Sequence, residues 1–135
     1  MGTTLEDIEG IGPHFAGKLR DAGIGTVEAL LEKGADRAGR KKIEDDTGIS
    51  HSQVLRWVNH ADLFRIKGIA GEYSELLEAA GVDSVPELAT RNAANLAAKL
   101  EEVNAETKKV RAVPTEKVVA GWIAQAKELP RVVTH

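Results

Sequence analysis

The residues with most chemical promise form one short run, Gly10-Ile11-Gly12-Pro13, followed by His14, Lys18 and Arg20. Two glycines around an apolar residue, with proline next, suit a tight turn that opens a helix. Glycine permits positive φ and close backbone approach. Such a turn aims backbone N–H groups and the positive end of a helix dipole at one point, an anion site of phosphate size. Lys18 and Arg20 on the helix, and His14 in its first turn, add cationic donors. Glu6, Asp7 and Glu9 precede the turn and oppose them. Phosphate contacts of this kind position a protein without specifying a base.

A second basic run, Arg37 to Lys42, offers Arg40, Lys41 and Lys42 as auxiliary phosphate contacts, although Glu44, Asp45 and Asp46 follow directly. The Thr-Gly-Ile-Ser corner after it could present His51, Ser52, Gln53 and Arg56 to a major groove, but it equally suits an ordinary helix–helix corner. Lys108, Lys109 and Arg111 form a small third cluster, expected in an exposed loop or helix end. His14, His51, His60 and His135 lack metal-ligand spacing, and the chain has no cysteine. No phosphate-binding P-loop, nucleotide fingerprint or nucleophile–base pattern is present. The expectation is therefore a non-catalytic protein without cofactor or metal ligand set.

These residues need helices to position them. The 135-residue chain contains an internal repeat, with Leu5 onward matching Leu63 onward at an offset of 58. Ile8 pairs with Ile66, Gly10 with Gly68, Phe15 with Tyr73, Leu19 with Leu77 and Gly23 with Gly81. Trp57 and Trp122 also correspond, at an offset of 65, so the second copy gains about seven residues near 100–113. Helix punctuation is dense: capping-box spacing at Thr3, Ser50 and Ser84, and prolines at 13 and 86. Strand patterning is absent.

The expected fold is all-α, two tandem five-helix units packed as one compact body, over 1–62 and 63–135. Helices are expected near 4–8, 13–22, 27–33, 37–47 and 51–61, then near 62–66, 71–80, 85–91, 93–108 and 115–128. The first core stripe would use Leu5, Ile8, Phe15, Leu19, Ile24, Val27, Leu30, Leu31, Ile43, Ile49, Val54, Leu55 and Val58. Val118, Val119, Trp122 and Ile123 would close the second. Both tryptophans read as core anchors tying each unit's last helix to its glycine turn. The PRVVTH tail could dock or fray.

The string IEGIGPHFAGKLRDAGI resembles a helix-hairpin-helix motif, an apolar residue followed by Gly-apolar-Gly between two short helices. The whole chain resembles a family of uncharacterised bacterial proteins with two tandem units of this kind. The match is carried by IEGIGP, TGISHSQVLRWVNHADLFRIKGIAGEY, LLEAAGVDSV and WIAQAKELPRVV. The resemblance implies that Gly10, Ile11 and Gly12 grip the DNA backbone weakly and without reading sequence. It also implies a metal cation, of monovalent type, at the carbonyls of that turn. A second hairpin at Lys67, Gly68 and Ala70 departs from the motif. Ala70 stands where the first has Gly12 and is expected to resist positive φ, and Glu72, Glu75 and Glu78 follow it.

Charge sets the alternative. The formal net charge is −3, unfavourable for indiscriminate coating of nucleic acid. A protein-interaction or scaffold role, with the same fold and no nucleic acid, is the second expectation. The chain has no apolar run long enough to span a bilayer and no signal-peptide pattern, so no membrane partner and a cytoplasmic location are expected.

Overall fold

The computed structural model describes residues 2–135. Its regular structure among those residues is a 3-10 turn (Leu5–Asp7) and eight α-helices. They are α1 (Pro13–Asp21), α2 (Val27–Lys33), α3 (Arg37–Thr47), α4 (His51–Leu63), α5 (Gly71–Ala79), α6 (Val85–Ala89), α7 (Ala93–Thr107) and α8 (Glu116–Glu128). Thr4 and Thr26 form one isolated antiparallel bridge, and the described residues contain no strand.

The chain divides into two compact units after Asp62. Val132–His135 belong to the first unit, not to the second as the sequence suggests. The helix expected at 62–66 is absent. α4 continues to Leu63, and a single turn, Ile66 N–H to Leu63 O at 3.1 Å, follows it.

Most helices begin on a polar side chain that accepts a first-turn amide, which satisfies a donor the helix itself leaves open. Thr26 caps α2, Asp36 α3, Ser84 α6, Asn92 α7 and Thr115 α8. Ser50 caps α4 through the Gln53 amide at 3.3 Å and donates to the Gln53 side chain at 3.0 Å. The Thr3 capping box does not form. Thr3 instead donates from its amide and hydroxyl to Glu28, at 2.7 and 2.9 Å.

In the first unit Leu5, Ile8, Leu19, Ile24, Leu30, Trp57 and Val58 are fully buried. Phe15, Leu31 and Leu55, expected in that core, are only half-buried. In the second unit the core joins Ile66, Leu76, Leu77, Leu88, Leu100, Val119 and Trp122. Val118, expected there as well, is 45% exposed. The buried stripe of α8 runs Val119, Trp122, Ile123, Ala126, which is one helical face, and Val118 lies outside it.

The second unit has a longer helix and a longer connection in its second half. α7 has 15 residues against 11 in α3, and the connection from α7 to α8 is longer than that from α3 to α4. That connection is anchored rather than loose. Asn104 brackets Val110 with two 3.0 Å hydrogen bonds, the Tyr73 hydroxyl donates to Ala112 O, and Lys109 pairs with Glu75. α3 ends on Gly48 at φ 75, whereas α7 ends on Lys108 at φ 52. A side chain with a Cβ is strained there. Lys108→Gly is therefore expected to stabilise the protein by about 1 kcal/mol, read as a higher urea midpoint with unchanged slope.

Candidate nucleic-acid interface

The turn from Ile8 to Gly12 is built on a buried aromatic. Ile8 and Ile11 point inward, and the Ile11 amide returns to Ile8 O at 3.1 Å. Gly10 between them has φ 95, and a Cβ on it would meet the Trp57 indole nitrogen at 3.2 Å. Trp57, from α4, packs edge-on to Phe15 of α1 at 5.1 Å. The turn is thus fixed from beneath. Unit two repeats the arrangement: Gly68 has φ 97, a Cβ there would lie 3.0 Å from the Trp122 indole nitrogen, and Tyr73 packs on Trp122 at 5.4 Å.

The second position of the turn behaves differently from expectation. Gly12 has φ −90 and Ala70 φ −127, both ordinary extended backbone. Neither place needs positive φ, so Ala70 is no defect in the second turn.

Gly12 is the N-cap of α1, with Pro13 at the first helical position. It supplies no capping side chain, and the first turn holds no acidic residue. The first amides of a helix have no intrahelical partner. At α1 these are Gly12, His14 and Phe15, since proline has no N–H. Of the eight helices, only α1 and α5 lack a side-chain cap, and both follow the glycine turn. α5 differs in carrying Glu72 in its first turn, a carboxylate already at the positive end of the dipole.

The cations are less available than the sequence suggests. Arg20 is held by Glu6 at 2.7 Å, and this hydrogen bond keeps the Glu6 carboxyl below its ordinary pKa. Lys18 is half-buried with Nζ 3.5 Å from Thr47 O at the end of α3. His14 is exposed, with its ring 5.4 Å from that of Phe15. Lys41 and Lys42 pair with Asp45 and Asp46 at 2.9 and 3.1 Å. The hydrogen bond to Asp45 raises the Lys41 pKa.

Arg40 is a correction. It is only 3% exposed, and its guanidinium serves three backbone carbonyls, so it offers nothing to a phosphate at the surface. Ala22 and Ile24, just past the end of α1, share a pocket with Gly39, Lys42, Ile43 and Asp46, so Lys42 lies by the end of α1 away from Gly12. His51 is likewise engaged, 3.0 Å from Glu44.

In unit two Lys67 is exposed, and its backbone is clamped by Gln125 of α8, at 2.9 Å to the amide and 3.3 Å from the carbonyl. Among the described residues no group of His, Asp and Glu is placed to hold a metal ion. None of the described helices is long and apolar enough to cross a membrane. The start of α1 is where the glycine turn places an anion site in the sequence, and a polar residue precedes every helix except the two that follow the glycine turns.

Fold and site together define an all-helical protein of two units, each built on a glycine turn backed by a tryptophan. The chain belongs to the family described as a domain of unknown function (DUF4332), which it matches over residues 9–129. No curated protein and no solved structure matches it.

Proposed function

We propose that the chain is a non-catalytic module of two tandem helix-hairpin-helix units, and that the first binds the phosphate backbone of DNA without reading sequence. The observation that carries this reading is the open start of α1. Its amides lack both a capping side chain and a first-turn carboxylate, whereas six other helices are capped. An anionic oxygen there would satisfy the amides and the dipole together. Lys18, on the same helix, is the side chain expected to assist. Arg20 must first leave Glu6. With one or two cations engaged, log K is expected to fall with log salt at a slope of about −1 to −2.

Fluorescence anisotropy with labelled duplex, single-stranded and forked DNA, at low and near-physiological salt, tests this. Gly12→Asp is the informative variant. Its carboxylate would occupy the open cap, so it should abolish binding while leaving stability equal or higher. Lys18→Glu should also abolish binding. Full affinity in both variants rejects the proposal. The paired state of Arg20, Lys41 and Lys42 favours the second reading, a protein-interaction module. No binding to any of the three DNAs at low salt would select it.

A further inference from the structure

Residues 132–135 follow α8, yet they lie on the first unit. They make few but specific contacts. Arg40 Nη1 donates to Gly34 O at 2.9 Å and to Ala35 O at 3.1 Å, which fixes the guanidinium from within the α2–α3 corner. Its Nη2 donates to Thr134 O at 2.7 Å. The Thr134 amide donates back to Ala35 O at 2.7 Å, and its hydroxyl adds a longer bond to the same oxygen at 3.4 Å. Val133 is 3% exposed, while Thr134 and His135 are exposed. The corner thus presents one fixed donor and one fixed acceptor to the main chain of a single residue, and the side chain of the residue before it is buried. Main-chain bonds for affinity and a side-chain pocket for selectivity are how proteins take extended peptides. Arg40 Nε is buried without a partner, so holding the guanidinium here carries a desolvation cost.

We propose that the α2–α3 corner is a receptor slot for an extended peptide, filled by residues 132–135 in cis, and that a second copy of the chain supplies the same segment in trans once the cis segment lets go. Every copy carries a segment that the slot already fits. The bonds are the same in cis and in trans, so concentration sets the balance. A short tether gives an effective concentration of millimolar order, so exchange belongs to concentrated protein.

The test uses the full chain and a labelled peptide of residues 129–135. In Val133→Asp a carboxylate would have to be buried where the valine is, and the slot should open. Fluorescence polarisation is expected to show saturable peptide binding to this variant, about tenfold or more weaker binding to the self-occupied wild type, and none for a peptide carrying the same aspartate. If Val133→Asp does not fold, Thr134→Pro removes the amide donated to Ala35 and serves the same comparison. Lack of saturable binding to a folded open variant at about 1 mM peptide overturns the slot. Light scattering tests the occupant. Wild type is expected to dimerise as concentration rises and Val133→Asp to stay monomeric. A wild type that stays monomeric while the open variant binds peptide would overturn the second copy as occupant.

Discussion

Gly39→Ala is expected to cost about 3 kcal/mol or more and to lower the thermal midpoint by roughly 10 °C. Gly39 lies in the first turn of α3, where its amide donates to the capping Asp36 side chain at 2.7 Å. A Cβ at this place would fall inside the carbonyl oxygen of Lys33, and would also sit 3.0 Å from Asp36 Oδ1 and 3.2 Å from the Lys33 carbonyl carbon. Two of those three atoms are backbone at the end of α2, so no side-chain rotation relieves the clash. Either α3 moves off α2 or its cap breaks. Displacing the corner would also disturb Arg40 and the docked 132–135 segment. Gly17 is the control. It lies within α1 with nothing within 4 Å of an added Cβ. Gly17→Ala should stabilise by about 0.5–1 kcal/mol, the ordinary gain for alanine over glycine in a helix. Equal effects at the two positions, measured by thermal and urea unfolding, would show that the α2–α3 contact is not tight.

What the sequence revealed, and what it hid, follows from the range of the interactions. α2 and α3 have the bounds expected of them because Thr26 and Asp36 are local caps, readable from a few neighbouring residues. The two tryptophans lie under their glycine turns, as their matching positions in the repeat suggest. Thr3 is no cap: Thr4 stands immediately before the 3-10 turn, and Glu28, remote in sequence, accepts from the Thr3 amide and hydroxyl. Arg40 looks like a surface cation among Arg37, Lys41 and Lys42, and nothing nearby in sequence announces Thr134 O, which faces it across 94 positions. The same distance hides the docking of 132–135. At the candidate site, the residues of the turn were legible from spacing. The pairing of Arg20 with Glu6 was not, since it depends on how the 3-10 turn lies against α1. The charge of a site is set by such partners, so a count of nearby lysines and arginines overstated its positive field.

The two glycines of the first turn should respond unequally to the same substitution. Gly10→Ala is expected to destabilise by roughly 2 kcal/mol, because φ 95 disfavours any Cβ and the Trp57 indole nitrogen would stand 3.2 Å from it. Gly68→Ala should cost a similar amount, for the same reasons at φ 97 and 3.0 Å. Gly12→Ala should change stability by less than about 0.5 kcal/mol, since φ −90 suits alanine and nothing lies within 4 Å of the added Cβ. Ala70 already shows alanine in that conformation. Urea unfolding of the three variants separates a glycine required by the fold from one that is not. The DNA titration then gives Gly12 its meaning. Alanine keeps the amide that would meet a phosphate, and adds only a methyl group. A loss of affinity with unchanged stability would mean that the ligand approaches Gly12 more closely than a methyl allows. Unchanged affinity would leave the His14 and Phe15 amides as the points of contact.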